Sequence, residues 1–410
     1  MTPARRAALA ALRATLNRGE DIQKAVDRQV PGLRPQDTAL ATALTYGTVR
    51  LLGRLDALLS LVLPRLDKFS RQVRRLLEMA AYELLFLRTP THATRSWAVP
   101  SARRLSPGLA GVVHAALLGL EERRHLAEDR QAFTAAGGAI HAWYSLPAWI
   151  WELWQKEYGD HAHTLAAMSL TQAPIGLRLR PAGSDTLRQE LAPAACRQGK
   201  LGLAFTRLPQ GAEAALHSGR AVRQSLASQE ALLALEPTTW PQPVWDACAG
   251  RGGKALLLAD LGLQTLASDP NLWRLEGLRR ESQRLGTLLP CVAADGRQPP
   301  LRLRPGTILL DAPCTGLGVL ARRPDIRWKR TPKDMGQLTA LQAQLLDAAA
   351  ATLAPGGRIA YITCTLTQAE NMDQVRAFLQ RHPDFCLRQH GTTPWDWGEV
   401  FFFALMEHAP

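Results

Sequence analysis

Apolar residues recur every three or four positions through the first third of the chain, which is the spacing of amphipathic helices. Stripes of this kind lie in residues 7–16, 40–55 and 76–85. Prolines or Pro-Gly pairs separate the stripes, at Pro31-Gly32, Pro64, Pro90 and Pro107-Gly108. Because these residues break helices, the pattern predicts several helices rather than one long helix. We expect an all-α bundle over residues 1–128.

Between residues 129 and 235 the pattern is mixed. An AAGG segment at 135–138 precedes five aromatic residues at near-helical spacing: Trp143, Tyr144, Trp149, Trp151 and Trp154. We predict that they form buried packing rather than a base-stacking platform, because Trp is mostly buried in proteins. Farther on, IGLRLR and LGLAFTRL resemble short strands, with the helix-like DTLRQELA between them. The segment is predicted to hold linker helices and a small α+β module.

From about residue 240 short apolar runs alternate regularly with helix-like stretches. The runs lie in VWDAC, TLASD, CVAAD, TILLDAPC and RIAYITC. Strands that alternate with helices in this way form βα units around a mainly parallel sheet. Residues 236–410 are therefore predicted to form an α/β domain.

The charge of the chain favours a polyanionic partner. The 410 residues carry a formal net charge of +13 at pH 7, with 42 arginines and 7 lysines. Residues 1–130 alone hold 21 basic against 12 acidic residues. Guanidinium groups match the geometry of phosphate, so the helical domain is the best candidate for a surface that binds RNA or DNA.

Other classes of protein are disfavoured. No apolar run approaches the roughly 18 residues of a membrane-spanning helix, so we expect no membrane association. Six cysteines show neither a Cys-x-x-Cys pair nor a Cys/His spacing suited to zinc, and we expect no metal. With no apparent signal peptide and no need for disulfides, we expect a cytoplasmic protein.

The first strand of the α/β domain is followed by a glycine-rich segment, DACAGRGGK, at residues 246–254. Glycines at the start of a helix allow backbone N–H groups to approach a ligand closely. A Walker phosphate loop is excluded, because Cys248 stands where it needs Gly and Ala255 where it needs Ser or Thr. Ala255 also replaces the third glycine of the dinucleotide-binding pattern.

Four successive predicted strands each end at or near an aspartate, namely Asp246, Asp269, Asp295 and Asp311. Asp269 comes 19 residues after Gly250, where a ribose-binding acid is expected. Each aspartate alone would be an ordinary turn or cap residue, but four at one sheet edge indicate a ligand site. Carboxylates without a phosphate loop suit a nucleoside that lacks phosphates and carries a positive centre, such as S-adenosylmethionine.

Five segments resemble the ordered motifs of RNA cytosine-5 methyltransferases: DACAGRGGK, ASDPNLWRLEGLRRESQRLG, AADGR, DAPCTGLGVLARRPDIRW and PGGRIAYITCTLTQAEN. Residues 3–125, including YELLFLRTPTHAT, resemble the NusB-like RNA-binding domain found in the bacterial RsmB/Sun family. The resemblance implies a Rossmann-like class I methyltransferase domain over 236–410, a NusB-like domain over 1–128 and an RNA-binding module within 129–235. It also implies S-adenosylmethionine as cofactor and small-subunit ribosomal RNA as substrate. We expect a monomer.

Carried over position by position, the resemblance implies roles for individual residues. Cys364 would be the nucleophile and Cys314 would help to release the methylated product. A thiolate that adds to carbon 6 of cytosine makes carbon 5 nucleophilic enough to accept a methyl group. Asp311 would either protonate ring nitrogen 3 or orient the exocyclic amine. Cofactor contacts are implied for Cys248, Ala249, Gly250, Arg251, Gly252, Gly253, Lys254, Asp269, Asp295 and Asp311.

The chain departs from the family pattern at several positions. Gly250-Arg251 replaces the usual Ala-Pro, and the arginine is expected to weaken cofactor binding by placing a cation near a cationic ligand. Thr315 and Thr365 replace serines and keep their hydroxyl groups. The segment RQS, residues 223–225, replaces the usual VQD, so the resemblance does not extend cofactor contacts to it.

Two other functions compete with RNA cytosine methylation. Methyltransferases that act on amino groups of bases have Asn/Asp-Pro-Pro-Tyr/Phe after the fourth strand, and the ring is absent from Ala312-Pro313-Cys314. A non-catalytic RNA-binding or assembly factor is disfavoured because both cysteines and the acidic set are present. The same chemistry on transfer RNA stays open.

Four basic residues after the fourth strand are expected to bind RNA phosphates: Arg322, Arg323, Arg327 and Lys329.

Overall fold

The computed structural model describes residues 1–87, 89–181 and 184–409, and helices make up its N-terminal third. The first helix begins at Pro3, where the Thr2 hydroxyl accepts a hydrogen bond from the Arg5 N–H, and ends at Gly19 in a left-handed conformation. The helices of this region are α1 (Pro3–Arg18), α2 (Ile22–Asp27), α3 (Pro35–Arg50), α4 (Leu52–Val62), α5 (Arg71–Leu85), α6 (Thr91–Leu105), α7 (Leu109–Glu122), α8 (His125–Glu128), α9 (Arg130–Ala135), α10 (Ile140–Trp143), α11 (Ala148–Tyr158) and α12 (His161–Ser169).

These helices form one of two compact units, which comprises residues 1–171 together with 323–330. Helix α5 lies at its centre and packs against α1, α3, α4, α6 and α7. The core is built mostly from leucine, including Leu12, Leu44, Leu55, Leu77 and Leu84, all fully buried. The all-α prediction for this region is confirmed.

The aromatic cluster between residues 143 and 154 packs into the same unit. Trp151 and Trp154 are buried, as predicted for packing residues. Tyr144 stacks on Trp151 with ring centroids 5.5 Å apart. The Arg54 guanidinium lies 3.6 Å from the centroid of Trp143. These side chains are therefore largely engaged within the protein and do not form an open stacking platform.

The second unit comprises residues 172–322 and 331–410. The segment predicted as a separate middle part, 129–235, is thus divided between the two units. The remaining helices of the chain are α13 (Ser184–Leu191), α14 (Ala212–His217), α15 (Leu226–Leu233), α16 (Gly253–Asp260), α17 (Leu272–Arg284), α18 (Ile326–Lys329), α19 (Pro332–Thr352) and α20 (Met372–Arg381). Of these, α18 belongs to the first unit. The strands are β1 (Ile175–Leu179), β2 (Arg197–Gln198), β3 (Gly202–Phe205), β4 (Ala221–Arg223), β5 (Val244–Asp246), β6 (Thr265–Ser268), β7 (Cys291–Val292), β8 (Thr307–Asp311), β9 (Arg358–Thr363), β10 (Phe385–Thr392) and β11 (Phe402–His408).

A four-stranded antiparallel sheet of order β2-β3-β1-β4 forms the small α+β module that the sequence predicts. Its core contains Leu177, Leu203 and Phe205, all fully buried. Arg178 and Arg180 of the β1 region both form ion pairs with Asp260 at the end of α16. These ion pairs connect the module to α16, the first helix of the α/β domain.

The larger sheet has seven strands in the order β10-β11-β9-β8-β5-β6-β7. Neighbours from β9 through β7 are parallel, whereas β11 runs antiparallel to both β9 and β10. The predicted α/β, mainly parallel architecture is confirmed. Because the parallel strands end at one edge, that edge is where a ligand is expected in such a sheet.

All four predicted aspartates lie at this edge. Asp246 and Asp311 are the last residues of β5 and β8, and Asp269 follows β6 directly. Asp295 comes three residues after the end of β7.

Candidate active site

Two cysteine thiols meet at the edge of the large sheet. The Sγ atoms of Cys314 and Cys364 are 3.2 Å apart, and the Cys364 N–H donates to the Cys314 Sγ at 3.3 Å. Cys314 is 9% exposed, whereas Cys364 is partly exposed. The structure therefore brings together the two sulfur atoms that the sequence predicts to act on one ring.

The pairing of β8 with β9 explains this proximity. Asp311 lies opposite Ile362 in register, so the cysteines follow directly after two neighbouring strand ends. The turn after Cys314 packs tightly on the turn at Cys364: Gly318 N–H donates to the Cys364 carbonyl at 3.0 Å. A Cβ atom at Gly318 would lie 2.9 Å from that carbonyl oxygen and 2.2 Å from the carbonyl oxygen of Val400, so only glycine fits without rearrangement.

The fully buried Glu370 joins the two cysteine-bearing turns through residues that follow each cysteine. Its Oε1 accepts hydrogen bonds from Thr315 N (2.8 Å) and Gln342 Nε2 (3.1 Å). Its Oε2 accepts from the Thr315 and Thr367 hydroxyls at 2.5 and 2.8 Å, and from Thr365 at 3.3 Å. We call these residues the Glu370 clamp. The sequence alone does not indicate a role for Glu370, because its contacts depend on how two distant turns meet.

The environment of the thiols keeps Cys314 protonated. The hydrogen bond to Cys364, followed by burial, raises the pKa of the Cys314 thiol well above its ordinary value, and the nearby Glu370 adds to the rise. In the thiol form Cys314 can donate a hydrogen bond to the Cys364 sulfur across the 3.2 Å contact. Hydrogen bonds of this kind stabilise a thiolate, which is the nucleophilic form of cysteine.

The glycine-rich segment forms a tight turn between β5 and α16. Gly250 and Gly252 adopt positive φ angles of 57° and 84°, and a Cβ at Gly252 would lie 2.0 Å from the Leu278 side chain. The Asp269 carboxylate fixes the turn by accepting from Gly250 N at 3.0 Å and from Asn271 N at 2.8 Å. The predicted cofactor loop and the predicted ribose-binding acid are therefore in direct contact.

Three ionisable groups line the edge beside this turn. Lys254 Nζ lies 2.8 Å from Asp311 Oδ2. Asp246 is fully buried, and burial, together with the nearby Asp311, raises the pKa of its carboxyl group to about 8. The Asp246 Oδ1 accepts from Cys248 N at 3.3 Å, while Oδ2 has no hydrogen-bond partner among the described residues.

Two further residues predicted to contact a cofactor, Arg251 and Asp295, are engaged on the protein surface. The Arg251 guanidinium lies 4.4 Å from the ring centroid of Trp273, and its stem passes Gly277. The cation expected to weaken cofactor binding is thus stacked along α17. Arg297 forms an ion pair with Asp295 at 2.6 Å and thereby lowers the pKa of that carboxyl group.

These features fit an adenosyl ligand. Helix α16 begins at Gly253 without a side-chain cap, which suits a polar ligand at the helix start, and Asp246 has an unused buried oxygen. Cys248 itself is held as a thiol, because burial raises its pKa well above the ordinary value.

The predicted contact of four basic residues with RNA phosphates is wrong for Arg327. Arg327 is fully buried and donates to backbone carbonyls, including that of Ser169 at 2.8 Å. Arg322 pairs with Glu399, Arg323 with Asp21, and Lys329 with Asp325. Each group already has a partner within the protein, which the sequence pattern alone does not reveal.

Within the described ranges there is no group of three or more His, Cys, Asp or Glu side chains that could hold a metal ion. Among the described helices, none combines the length and apolar character needed to cross a membrane.

Comparison with known proteins matches two parts of the chain to protein families. Residues 231–399 match the family model of the 16S rRNA methyltransferases RsmB/F, and residues 2–120 match the NusB family. The chain is 35% identical to "Ribosomal RNA small subunit methyltransferase B" of Thermus thermophilus, over 85% of this chain and 80% of that protein. It is 32% identical to the protein of the same name from Vibrio cholerae, over 93% and 90% of the two chains.

A solved structure shares the fold over the full length. The crystal structure of PH0851 superposes with a TM-score of 0.76 and covers 99% of both chains, at 22% sequence identity.

Proposed function

Because the chain belongs to the RsmB/F family of methyltransferases and carries a NusB-family domain, we propose that it methylates carbon 5 of cytosine in small-subunit ribosomal RNA. The observation that carries this proposal is the 3.2 Å contact between the thiols of Cys314 and Cys364. One thiol is enough for attack, and a neighbouring second thiol suits the release of a covalent intermediate. A substrate of this kind implies action in the cytoplasm, and we expect the protein to act as a monomer.

S-adenosylmethionine is the proposed cofactor, and it supplies an electrophilic methyl group when bound. The residues that would hold it are the turn at 248–254 and the acids Asp269, Asp295 and Asp311. Backbone N–H groups at the start of α16 would bind its polar groups, and Asp269 would accept hydrogen bonds from its ribose hydroxyls.

Cys364 is the proposed nucleophile. Its thiolate would add to carbon 6 of the cytosine ring, and the electron pair of the 5,6 double bond would move toward carbon 5. Carbon 5 would then bond to the methyl carbon as the bond from that carbon to the donor sulfur breaks, and the electrons of the broken bond would stay on the sulfur. The Cys314 thiol assists by donating a hydrogen bond to the Cys364 sulfur. The Glu370 clamp holds both turns so that this geometry exists before the base arrives.

Asp311 is proposed to orient the base. Its carboxylate pairs with the Lys254 ammonium, and an ionised carboxylate accepts a hydrogen bond from the exocyclic amine but has no proton for nitrogen 3. Of the two roles open from the sequence, the orienting role fits this arrangement better.

Release requires loss of the proton on carbon 5 and cleavage of the bond between carbon 6 and sulfur. We assign assistance in this elimination to Cys314. A water molecule accepts the proton from carbon 5, the electrons of the broken C–H bond re-form the ring double bond, and the Cys364 sulfur leaves as a thiolate. Cys314 Sγ is positioned to donate a hydrogen bond to that thiolate.

The test is methyl transfer to small-subunit RNA from a radiolabelled donor, followed by nucleoside analysis. The wild type is expected to produce 5-methylcytidine, and Cys364→Ala to reduce the rate by roughly three orders of magnitude or more. Cys386→Ala, the same change at an exposed cysteine, is the matched control and should act like wild type. Unchanged transfer by Cys364→Ala would refute the nucleophile, and label only in transfer RNA would refute the substrate.

A further inference from the structure

Gln224 lies between β4 and α15, in the RQS segment to which the family resemblance assigns no contact. The residue is 8% exposed. Its Nε2 has no hydrogen-bond partner among the described residues. A buried amide without a partner is costly, so an acceptor from outside the protein is expected to complete it.

The orientation of this amide follows from its neighbours. The Arg178 Nε donates to Gln224 Oε1 at 2.8 Å. Because a guanidinium has no acceptor, the oxygen of the amide must face Arg178 and the NH₂ group must face the other way. Arg178 is itself fixed by its ion pair with Asp260.

The free side of the amide faces the glycine-rich turn. Nε2 lies 3.7 Å from the position that a Cβ atom would occupy on Gly253, the first residue of α16. Backbone N–H groups at the start of a helix favour negative charge, and the Gln224 amide adds a neutral donor at the same place. The site therefore suits an anion rather than a cation.

We propose that Gln224 binds the amino-acid carboxylate of the cofactor. This inference rests on the proposed function, because it specifies which part of S-adenosylmethionine is held at the start of α16. The carboxylate is the anionic group of that ligand, while its amino and sulfonium groups cannot accept a hydrogen bond from the amide.

The test compares two ligands by calorimetry. S-adenosylhomocysteine carries the carboxylate, whereas 5′-methylthioadenosine has the same nucleoside without it. Gln224→Glu keeps an oxygen for Arg178 but replaces the NH₂ group by an acceptor. This variant is expected to bind S-adenosylhomocysteine about tenfold or more weakly than the wild type does. Its affinity for 5′-methylthioadenosine should stay within about twofold of the wild-type value.

A neutral variant and a surface control complete the design. Gln224→Met removes the donor without adding charge and should show the same selective loss, which also covers the case in which the glutamate variant fails to fold. Gln198→Glu on the exposed end of β2 should change neither affinity.

An equal loss of affinity for both ligands, or no loss of affinity for S-adenosylhomocysteine, would overturn the assignment of Gln224. A wild-type protein that binds neither ligand would instead contradict the proposed function. The two failures are therefore distinguishable.

Discussion

At the scale of single residues, Asp246 is an acid that its buried position keeps in the neutral form. Its folded-state pKa of about 8 stands far above the roughly 3.9 of an unfolded aspartate, and burial is the main cause. The folded state therefore binds one more proton than the unfolded state between these values. The resulting stability is fully present below about pH 4 and is lost as the pH rises through 8.

This shift gives a prediction for Asp246→Asn, whose side chain does not titrate. The free energy of unfolding of wild type minus that of the variant should fall between pH 5 and pH 8, by at most about 1.4 kcal/mol per pH unit. Denaturant titrations at four pH values measure it. A difference that stays constant with pH would show that Asp246 is not buried as a neutral acid.

Arg251 gives a second prediction at this scale. From the sequence, its charge is expected to weaken cofactor binding, so removing it should tighten binding. Stacking on Trp273 instead directs the guanidinium along α17. We expect Arg251→Ala to leave the affinity for S-adenosylhomocysteine unchanged or up to about threefold weaker, because a cation–π contact at an exposed site contributes only about 0.5–1 kcal/mol. Calorimetry measures this affinity. Binding of S-adenosylhomocysteine that is tenfold tighter in Arg251→Ala than in the wild type would show instead that the charge of Arg251 weakens cofactor binding.

At the scale of elements, the active site depends on two strand ends and on the carboxylate that connects the turns after them. The Glu370 clamp links Thr315, after β8, to Thr365 and Thr367, after β9. Strand register brings the cysteines near each other, and the clamp determines how their turns meet. The geometry of the thiols is thus a property of the pair of turns.

We predict that Glu370→Gln lowers the free energy of unfolding by about 1–3 kcal/mol, because an amide cannot accept all the hydrogen bonds of the carboxylate. Methyl transfer should fall at least about tenfold while binding of S-adenosylhomocysteine stays the same. Glu236→Gln, an exposed change outside the site, is the control for both measurements. Equal methyl-transfer activity in Glu370→Gln and in the wild type would show that catalysis does not depend on the Glu370 clamp.

Much of this arrangement of strand ends could be predicted from the sequence. Parallel strands end at one edge, so runs ending in Asp246, Asp311 and Cys364 already indicated a shared site. The Lys254–Asp311 pair, the partners of Glu370 and the burial of Arg327 were not predictable in the same way. Each depends on side-chain contacts across long sequence separations, which hydrophobic periodicity does not encode.

At the scale of the whole molecule, positive charge is concentrated in the N-terminal helical region. Residues 1–130 contribute +9 of the net +13. Arg103 and Arg104 are exposed in the last turn of α6 and are candidates for phosphate contacts. Such contacts release counterions and make RNA affinity depend on salt.

Replacing Arg103 and Arg104 by glutamine is therefore expected to weaken RNA binding and to reduce the slope of log K against log salt by up to about 2. Filter binding at several salt concentrations measures the slope. Arg376→Gln, at an exposed position of α20 in the other unit, is the control and should leave the slope unchanged. The same slope for wild type and the double variant would exclude these two side chains from the RNA-binding surface.

The most direct test of the account is to trap the protein on its RNA. If Cys364 attacks the ring and Cys314 assists release, Cys314→Ala incubated with RNA and methyl donor should accumulate a covalent complex that survives a denaturing gel. The double variant Cys314→Ala/Cys364→Ala should form none. A Cys314→Ala protein that forms no complex, or a double variant that still forms one, would contradict the division of roles between the two thiols.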